Sequence, residues 1–371
     1  MIAADDNPDA PGMALADKAI VPGGLVNEEK MLAIAKEEQI DAVIHPCTEV
    51  AMHVMGRIND ELHLHGVSKE TARRATNKYL MRVSFEAYGA PGPKSYCTAD
   101  VNEGWRLFHS LGVKSIIKPS RNSGSRGVSE IEQNIAFDKF SAIFECAKSL
   151  SRDDSVMIEQ FVEGPEFSVE IIVWNGTVNI LQVTDKVTTG APYFVELGHS
   201  QPSQFPQTVI EAVKDAAIKG VKALRLKDCA AHAEIKYQDG KPYIMEIGAR
   251  LGGDFISTEL THLSTGIDMV AATINVALGN EPCLTPFAEP RGAAIRYFVP
   301  KSGKVSAIEG TELLNSPEVY DAEIYVKPGD EVPELHSSLD RSGHVIVCAD
   351  DVKKAVEKAE ELVSAVKIIT E

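Results

Sequence analysis

Apolar positions recur at helical spacing in three early stretches: NEEKMLAIAKEEQ (27–39), TEVAMHVMGRINDELH (48–63) and KETARRATNKYLMRVSFEAYG (69–89). Between and before them, MIAAD and DAVIHP are short apolar runs that read as strands, the second of them buried. Strands alternating with helices predict an α/β unit with parallel strands. The third helix ends at Gly89, and the following APGPKS marks a boundary. From there to about residue 280 the pattern gives strands at Ser115 to Lys118, Val156 to Ile158, Glu166 to Trp174 and Val178 to Thr184. They are interleaved with helices, of which Gln207 to Leu224 is the clearest. The last ninety residues hold strands at GAAIRYFV, AEIYV and HVIVCA, then an amphipathic helix from Asp350 to about Val366. No internal repeat or low-complexity tract appears. The division is therefore 1–94, 95–280 and 281–371 in a chain of mixed α/β class.

Composition narrows the partners. With 37 basic against 54 acidic residues the net charge is −17, which argues against nucleic acid or an anionic membrane as the main partner. Anionic ligands would need locally gathered lysines and arginines. No apolar run reaches membrane-spanning length, and MIAADDNPDAPG is acidic where a signal peptide would be basic, so a soluble cytosolic protein is expected. The six cysteines are scattered, without CxxC or zinc-finger histidine spacing, and read as reduced, mostly buried thiols.

The densest chemistry lies in HAEIKYQDGKPYIMEIGARLGG (232–253). Ala233, Ile235 and Tyr237 form one face and Glu234 and Lys236 the other, followed by Asp239-Gly240 and a second alternating run carrying Glu246. This is a β-hairpin. A two-residue turn sets Glu234 opposite Met245, whereas a three-residue loop of Asp239, Gly240 and Lys241 sets it opposite Glu246. Only the odd loop puts both acids on one face. Directly opposed carboxylates destabilise a sheet by about 0.2–1 kcal/mol, so the arrangement makes sense mainly with a cation between them. Mg²⁺ held by one or two carboxylates and nucleotide phosphates meets that need; a solvated acidic face is the plain alternative.

Lys118 closes the strand SIIKP and leads into SRNSGSRGV, a loop in which Ser123, Gly124, Ser125 and Gly127 can bring backbone N–H groups and hydroxyls close to phosphate. It matches neither the Walker nor the dinucleotide pattern, and by itself reads as a flexible surface turn. Lys78 in TNKYLMR reads by itself as a solvated helix lysine. In VMIEQFVEGPEFSVEIIV, Glu159, Gln160, Phe161 and Val162 end a strand before Gly164-Pro165, and Glu166 resumes it. By itself this reads as an ordinary hairpin, with a connector offering its backbone to a base edge as the alternative. Arg250 could bridge phosphate and carboxylate oxygens with its planar fork, and His199 sits in a polar loop after a strand.

The order of these pieces resembles the ATP-grasp superfamily, in the branch of carbamoyl-phosphate-synthetase-like proteins and L-amino-acid (dipeptide) ligases. The resemblance covers nearly the whole chain, through NPDAPGMALADKAI, TNKYLMR, IIKPSRNSGSRGV, IEQFVEGPEFSVE, DKVTTGAPYFVELGHSQPS, AEIK and MEIGARLGG. It implies a Rossmann-like N-terminal domain, a two-lobed ATP-grasp domain and a C-terminal α/β subdomain completing it. It implies that Lys78 and Lys118 contact the nucleotide phosphates and that Ser123 to Gly127 form the loop closing over them. Glu159 to Val162 would be the adenine connector, Glu166 would hold the ribose, and Lys186 would be a nucleotide-side lysine. Glu234 and Glu246 would bind Mg²⁺, with Mn²⁺ as the alternative, and Arg250 would stabilise an acyl phosphate and the tetrahedral intermediate. His199-Ser200-Gln201-Pro202 matches the His-x-x-Pro loop lining the substrate site of the amino-acid ligases.

Two departures stand out. Where many relatives have Glu-x-Asn-x-Arg, this chain has Gly248, which leaves metal ligation to the two glutamates, phosphates and water. The chain also starts at what matches the family's second strand; either this start is late, or the first domain is trimmed and the strand edges this exposes are covered otherwise. The implied activity is ATP-dependent joining of a small carboxylate to an amine through an acyl phosphate, on amino-acid-like substrates, in a protein whose relatives are commonly homodimers. Bicarbonate-using carboxylase or carbamoyl-phosphate chemistry, and an ATP-binding protein without turnover, are the alternatives.

Overall fold

The computed structural model describes residues 1–122 and 127–371. Near the N-terminus, Ile2–Ala4 pairs in parallel with Lys18–Ile20, and the helix Glu28–Glu37 starts where the Asn27 side chain accepts from the Lys30 N–H. DAVIHP does not become a strand: residues 41–46 enter no ladder among the described residues. With no strand beside it the segment satisfies its backbone elsewhere, Val43 packing against the core and the Pro46 carbonyl accepting from the Leu251 N–H.

The stretch expected as one helix over 69–89 is two, Lys69–Thr76 and Lys78–Tyr88. Asn77 stands between them in extended backbone (φ −120°, ψ 111°), and its side chain accepts from the Leu80 N–H. Capping the second helix is a better use of this asparagine than a place in a helix interior. The break has a functional consequence. It puts Lys78 in the first turn of a new helix, where its N–H donates to the Ser120 carbonyl and its side chain turns towards the sheet. The helix ends as expected at Gly89, in the left-handed region (φ 73°).

The body of the molecule is an eight-stranded antiparallel sheet in the order Lys241–Gly248, Cys229–Gln238, Glu166–Trp174, Thr177–Thr188, Glu196–Gln201, Gly292–Tyr297, Gly343–Ala349, Val319–Ile324. Helix Gln207–Leu224 lies across one face, Val213, Ala217, Val221 and Leu224 packing on Val169, Ile171, Ala233, Ile235, Ile244 and Ile247. The approach is so close that a Cβ at Gly220 would meet Ile247 Cδ1 at 2.4 Å. The helix Met269–Ala277 covers the other face through Met269, Ala272 and Val276, against Ile172 and Ala230. Glu166–Trp174 is therefore buried on both sides, which accounts for its nearly continuous apolar run.

A second, four-stranded antiparallel sheet, in the order Ser95–Thr98, Val156–Gln160, Ser115–Pro119, Ser129–Ile131, is backed by helices Val101–Leu111 and Phe137–Ser149. Its core is a row of phenylalanines, with Phe108 and Phe140 at 5.5 Å and Phe140 and Phe144 at 6.0 Å between ring centres. At the C-terminus the expected strands and the helix Val352–Ala365 appear, together with a small unforeseen sheet of Gly303–Glu309, Glu331–Val332 and Lys367–Thr370. Among the described residues no helix is long and apolar enough to cross a membrane. All six cysteines are unpaired, but only Cys229 and Cys348 are buried; Cys47 and Cys97 are half-buried and Cys146 and Cys283 exposed, against the expectation of mostly buried thiols.

Candidate active site

The 232–253 hairpin brings its two acids face to face by a route the sequence did not suggest. The turn is the two-residue one: Gln238 pairs with Lys241, with Asp239 (φ 50°) and Gly240 (φ 77°) in the left-handed region. That turn alone would put Glu234 opposite Met245. Instead the register shifts between Ile235, paired with Ile244, and Glu234, paired with Glu246. Met245 is the extra residue of a β-bulge, and its free carbonyl accepts from Arg82 Nη2 at 2.7 Å.

Nor does the pairing need a metal for neutrality. Lys186 Nζ lies 3.1 Å from Glu234 and 2.6 Å from Glu166, and Lys78 Nζ lies 3.0 Å from Glu246. Lys186, together with His232, outweighs burial and holds the Glu234 carboxyl well below its ordinary value. Burial disfavours the charge on Lys186, but Glu166 and Glu234 raise its pKa well above the usual lysine range. Among the described residues no three histidine, cysteine, aspartate or glutamate side chains are gathered so as to hold a metal by themselves. The donor set does fit Mg²⁺ bound in the way common at nucleotides, through one or two carboxylates with phosphates and water completing the shell.

The four-stranded lobe supplies the opposite wall. Lys118 Nζ is 2.5 Å from Glu159, and Arg82 reaches the same carboxylate at 2.7 Å. Glu159 is fully buried. Burial alone would raise its pKa; Arg82 and Lys118 overcome that and bring it to about 2. Lys118 is pushed below the ordinary lysine value by burial and by the positive charges of Arg82 and Lys78, with Glu159 opposing.

Past Gln160 the connector runs through Phe161 and Val162 to Gly164, where φ is 95° and a Cβ would meet the Tyr237 carbonyl at 2.3 Å. Ile116, Phe161, Val162, Phe194 and Met245 form an apolar end to the cleft, and Lys236 Nζ sits 3.3 Å from the Val162 carbonyl and 5.5 Å from the Phe161 ring. At the other end stands Arg250, with Nη1 on the Leu251 carbonyl (3.0 Å) and Nη2 3.5 Å from Glu49. Its Nε is buried and has no hydrogen-bond partner among the described residues. A Cβ at Gly248 would lie 3.1–3.2 Å from the Arg250 side chain, so this glycine is the floor under the guanidinium. Glu49 has its pKa raised to about 7, by burial first and then by Glu246, against Arg250 and Lys78.

One cavity of about 340 Å³ is lined by Lys78, Lys118, Gln160, Phe161, Val162, Glu166, Lys186, Glu234, Glu246 and Arg250, all candidates from the sequence. Three candidates stand off it. Glu159 spends its carboxylate on Arg82 and Lys118; Gly127 (φ 77°) packs under Pro119 and Leu150. His199 is not in a polar loop but in the strand Glu196–Gln201, 1 % exposed, with Nε2 3.1 Å from Asp254 and Nδ1 without a partner among the described residues. Ser123, Gly124 and Ser125 lie outside the described residues. Glu49, Phe194, Glu196, His232 and Lys236 also line the cavity and were not foreseen. For His232 and Lys236 the signal was there, since 232, 234 and 236 fall on one face of a strand; for Glu49, inside a helix-like stretch, there was none.

Residues 111–259 match the ATP-grasp domain family and residues 296–371 match L-amino acid ligase C-terminal domain 2. The chain is 25 % identical over 320 residues to the uncharacterized protein y4rH of Sinorhizobium fredii, covering 84 % of this chain and 66 % of that protein. Alanine–anticapsin ligase of Bacillus subtilis (strain 168) is 25 % identical over 268 residues, 67 % of this chain and 56 % of its own length. The chain thus spans two thirds or less of these curated relatives. In fold it is similar to the crystal structure of an L-amino acid ligase from Bacillus licheniformis, with TM-score 0.82 at 22 % identity over 99 % of this chain and 90 % of that one.

Proposed function

From the premise that the chain carries an ATP-grasp domain joined to an L-amino acid ligase C-terminal domain, we propose an enzyme that joins a carboxylate to an amine at the expense of ATP. The observation that supports it best is local. In a chain of net charge −17, Lys78, Lys118, Lys186 and Arg250 converge with Glu234 and Glu246 on one cleft between two lobes. The base would lie against Phe161, Val162 and Ile116, with Lys236 beside it and Glu166 towards the ribose. Lys118 and Lys78 would take the phosphates.

A carboxylate is a poor acyl donor because its leaving group is oxide. Attack of a carboxylate oxygen on the γ-phosphorus forms the new O–P bond and breaks the bond to ADP, giving an acyl phosphate. The amine nitrogen then attacks the acyl carbon, phosphate leaves with its electron pair, and the nitrogen gives up a proton to yield the amide. The chain contributes position and charge rather than a covalent group. Glu234 and Glu246 would hold Mg²⁺, which when bound neutralises phosphate charge. Arg250 would place its planar fork between the transferring phosphate and the carboxylate oxygens, its free Nε included. Glu49, beside Arg250, offers an incoming ammonium a carboxylate. The match to an L-amino acid ligase domain favours amino-acid-like substrates.

The test is a screen of amino-acid pairs with MgATP, following ADP, phosphate and amide together. We expect ADP and phosphate to form only with a productive pair and in equal amounts to the amide. AMP as product, or no pair-dependent turnover across the proteinogenic amino acids, overturns the reading. Arg250→Lys keeps the charge but loses the fork, and should lower kcat by about 10²-fold while leaving KM for ATP within about threefold. Steady-state kinetics with ATP varied checks this.

A further inference from the structure

Glu170 is a carboxylate in the middle of a largely apolar strand, fully buried, and outside the cavity. Taking a carboxylate out of water costs several kcal/mol, and a buried ion pair is often replaceable by apolar side chains without loss of stability. Its presence therefore calls for directional bonds that a leucine could not supply. It makes two. Oε1 lies 2.7 Å from His232 Nδ1, and Oε2 accepts from the Ser257 hydroxyl at 2.9 Å. The Ser257 oxygen in turn accepts from the Gly252 N–H at 2.7 Å. Ser257 is also fully buried.

Both branches lead to the cleft. His232 presents its other nitrogen to Glu234, Nε2 to Oε1 3.7 Å, and lines the cavity itself. Gly252 is two residues beyond Arg250, and on the nearer side the Leu251 N–H is held by the Pro46 carbonyl at 2.9 Å. The Arg250 head has few fixed partners of its own, a neighbouring carbonyl and a 3.5 Å contact with Glu49. The backbone on its far side thus sets where it points. The packing leaves no slack: a Cβ at Gly252 would lie 2.6 Å from His232 Nδ1 and 2.9 Å from Glu170 Oε2.

We propose that Glu170 is a positioning residue, a buried tether that fixes the Arg250 turn through Ser257 and the Glu234 edge through His232, so that the two sides of the reacting centre keep one geometry. The catalytic part of this rests on the proposed ligase reading; the tether does not.

Three variants of the full chain separate the two. Ser257→Ala removes one hydroxyl and cuts Glu170 from Gly252. Glu170→Gln keeps an oxygen that accepts from Ser257 and turns an amide N–H, in place of a carboxylate oxygen, towards the His232 ring, which then accepts through Nδ1. Glu170→Leu keeps neither. Amide hydrogen exchange of the ligand-free protein, read by mass spectrometry on a peptide covering residues 249–258, should show the Gly252 amide exchanging about tenfold faster in Ser257→Ala and Glu170→Leu and near wild type in Glu170→Gln. With a productive substrate pair, kcat in Ser257→Ala and Glu170→Leu should fall about tenfold with KM for ATP within about twofold, and kcat in Glu170→Gln should stay within about threefold of wild type. Unchanged exchange in Ser257→Ala, or Glu170→Gln as impaired as Glu170→Leu, overturns the tether. If Glu170→Leu does not fold, Ser257→Ala and Glu170→Gln carry the comparison alone. A wild-type protein that forms no amide defeats the ligase reading, and the exchange result still decides the tether.

Discussion

Glu246→Gln should lower ligation by about 10³-fold or more while the chain remains folded. The substitution is isosteric and removes one negative charge at the point where the bulged hairpin turns it towards Glu234. In the wild-type protein that charge balances Lys78 at 3.0 Å, and burial, which would raise its pKa, is outweighed by Lys78. With the amide in place, Lys78 keeps its bond to the Asn122 carbonyl and the nearby charge of Glu49, so the fold loses only about 1–2 kcal/mol. Turnover loses far more, because phosphate charge building up in the transition state has lost one of the two carboxylates that would hold the metal against it. Steady-state assays beside a thermal melt check both halves. Wild-type turnover in the variant would remove Glu246 from the reacting centre.

The second large effect is on stability. Glu159→Gln leaves Arg82 and Lys118, both nearly buried, without the carboxylate that balances them, and should destabilise the protein by about 3–5 kcal/mol. That is a large part of the ~5–15 kcal/mol that folded domains possess. The effect should depend on pH with a definite sign. The Glu159 carboxyl titrates near 2 in the folded chain against 4.5 ordinarily, so its contribution is fully present above about 4.5 and is lost as pH falls towards 2. Urea unfolding of wild type and variant between pH 6 and pH 2 should show the gap between them closing over that window. A constant gap would mean that the Arg82–Glu159–Lys118 cluster does not hold this lobe together.

Glu159 also marks where sequence reading stops. The string IEQFV placed the connector, and Gln160, Phe161 and Val162 do line the cleft, yet one residue earlier the alternation of a strand turns the side chain inward to partners 77 and 41 positions away in the chain. No local pattern carries that. The strand Glu166–Trp174 and the helix Gln207–Leu224 were legible to the residue because apolar periodicity and end signals agreed. The break at Asn77 was less so, since the hydrophobic pattern runs straight through it and only the cap preference of asparagine argues otherwise. The facing of Glu234 and Glu246 was legible but its cause was not: a bulge depends on what a third segment needs, here Arg82 taking the Met245 carbonyl. The cation inferred between the two glutamates turned out to have side-chain competitors, Lys78 and Lys186, drawn from elsewhere in the fold.

The most direct test of a carboxylate–amine ligase at this cleft is the fate of carboxylate oxygen. With a productive amino-acid pair and the acyl donor labelled with ¹⁸O at both carboxylate oxygens, attack on the γ-phosphorus moves one labelled oxygen into the phosphate released and leaves the other in the amide. Mass spectrometry of the phosphate should find one ¹⁸O per molecule, in step with ADP. Unlabelled phosphate accompanying amide formation would contradict an acyl phosphate, and with it the roles given to Lys78, Lys118, Glu246 and Arg250.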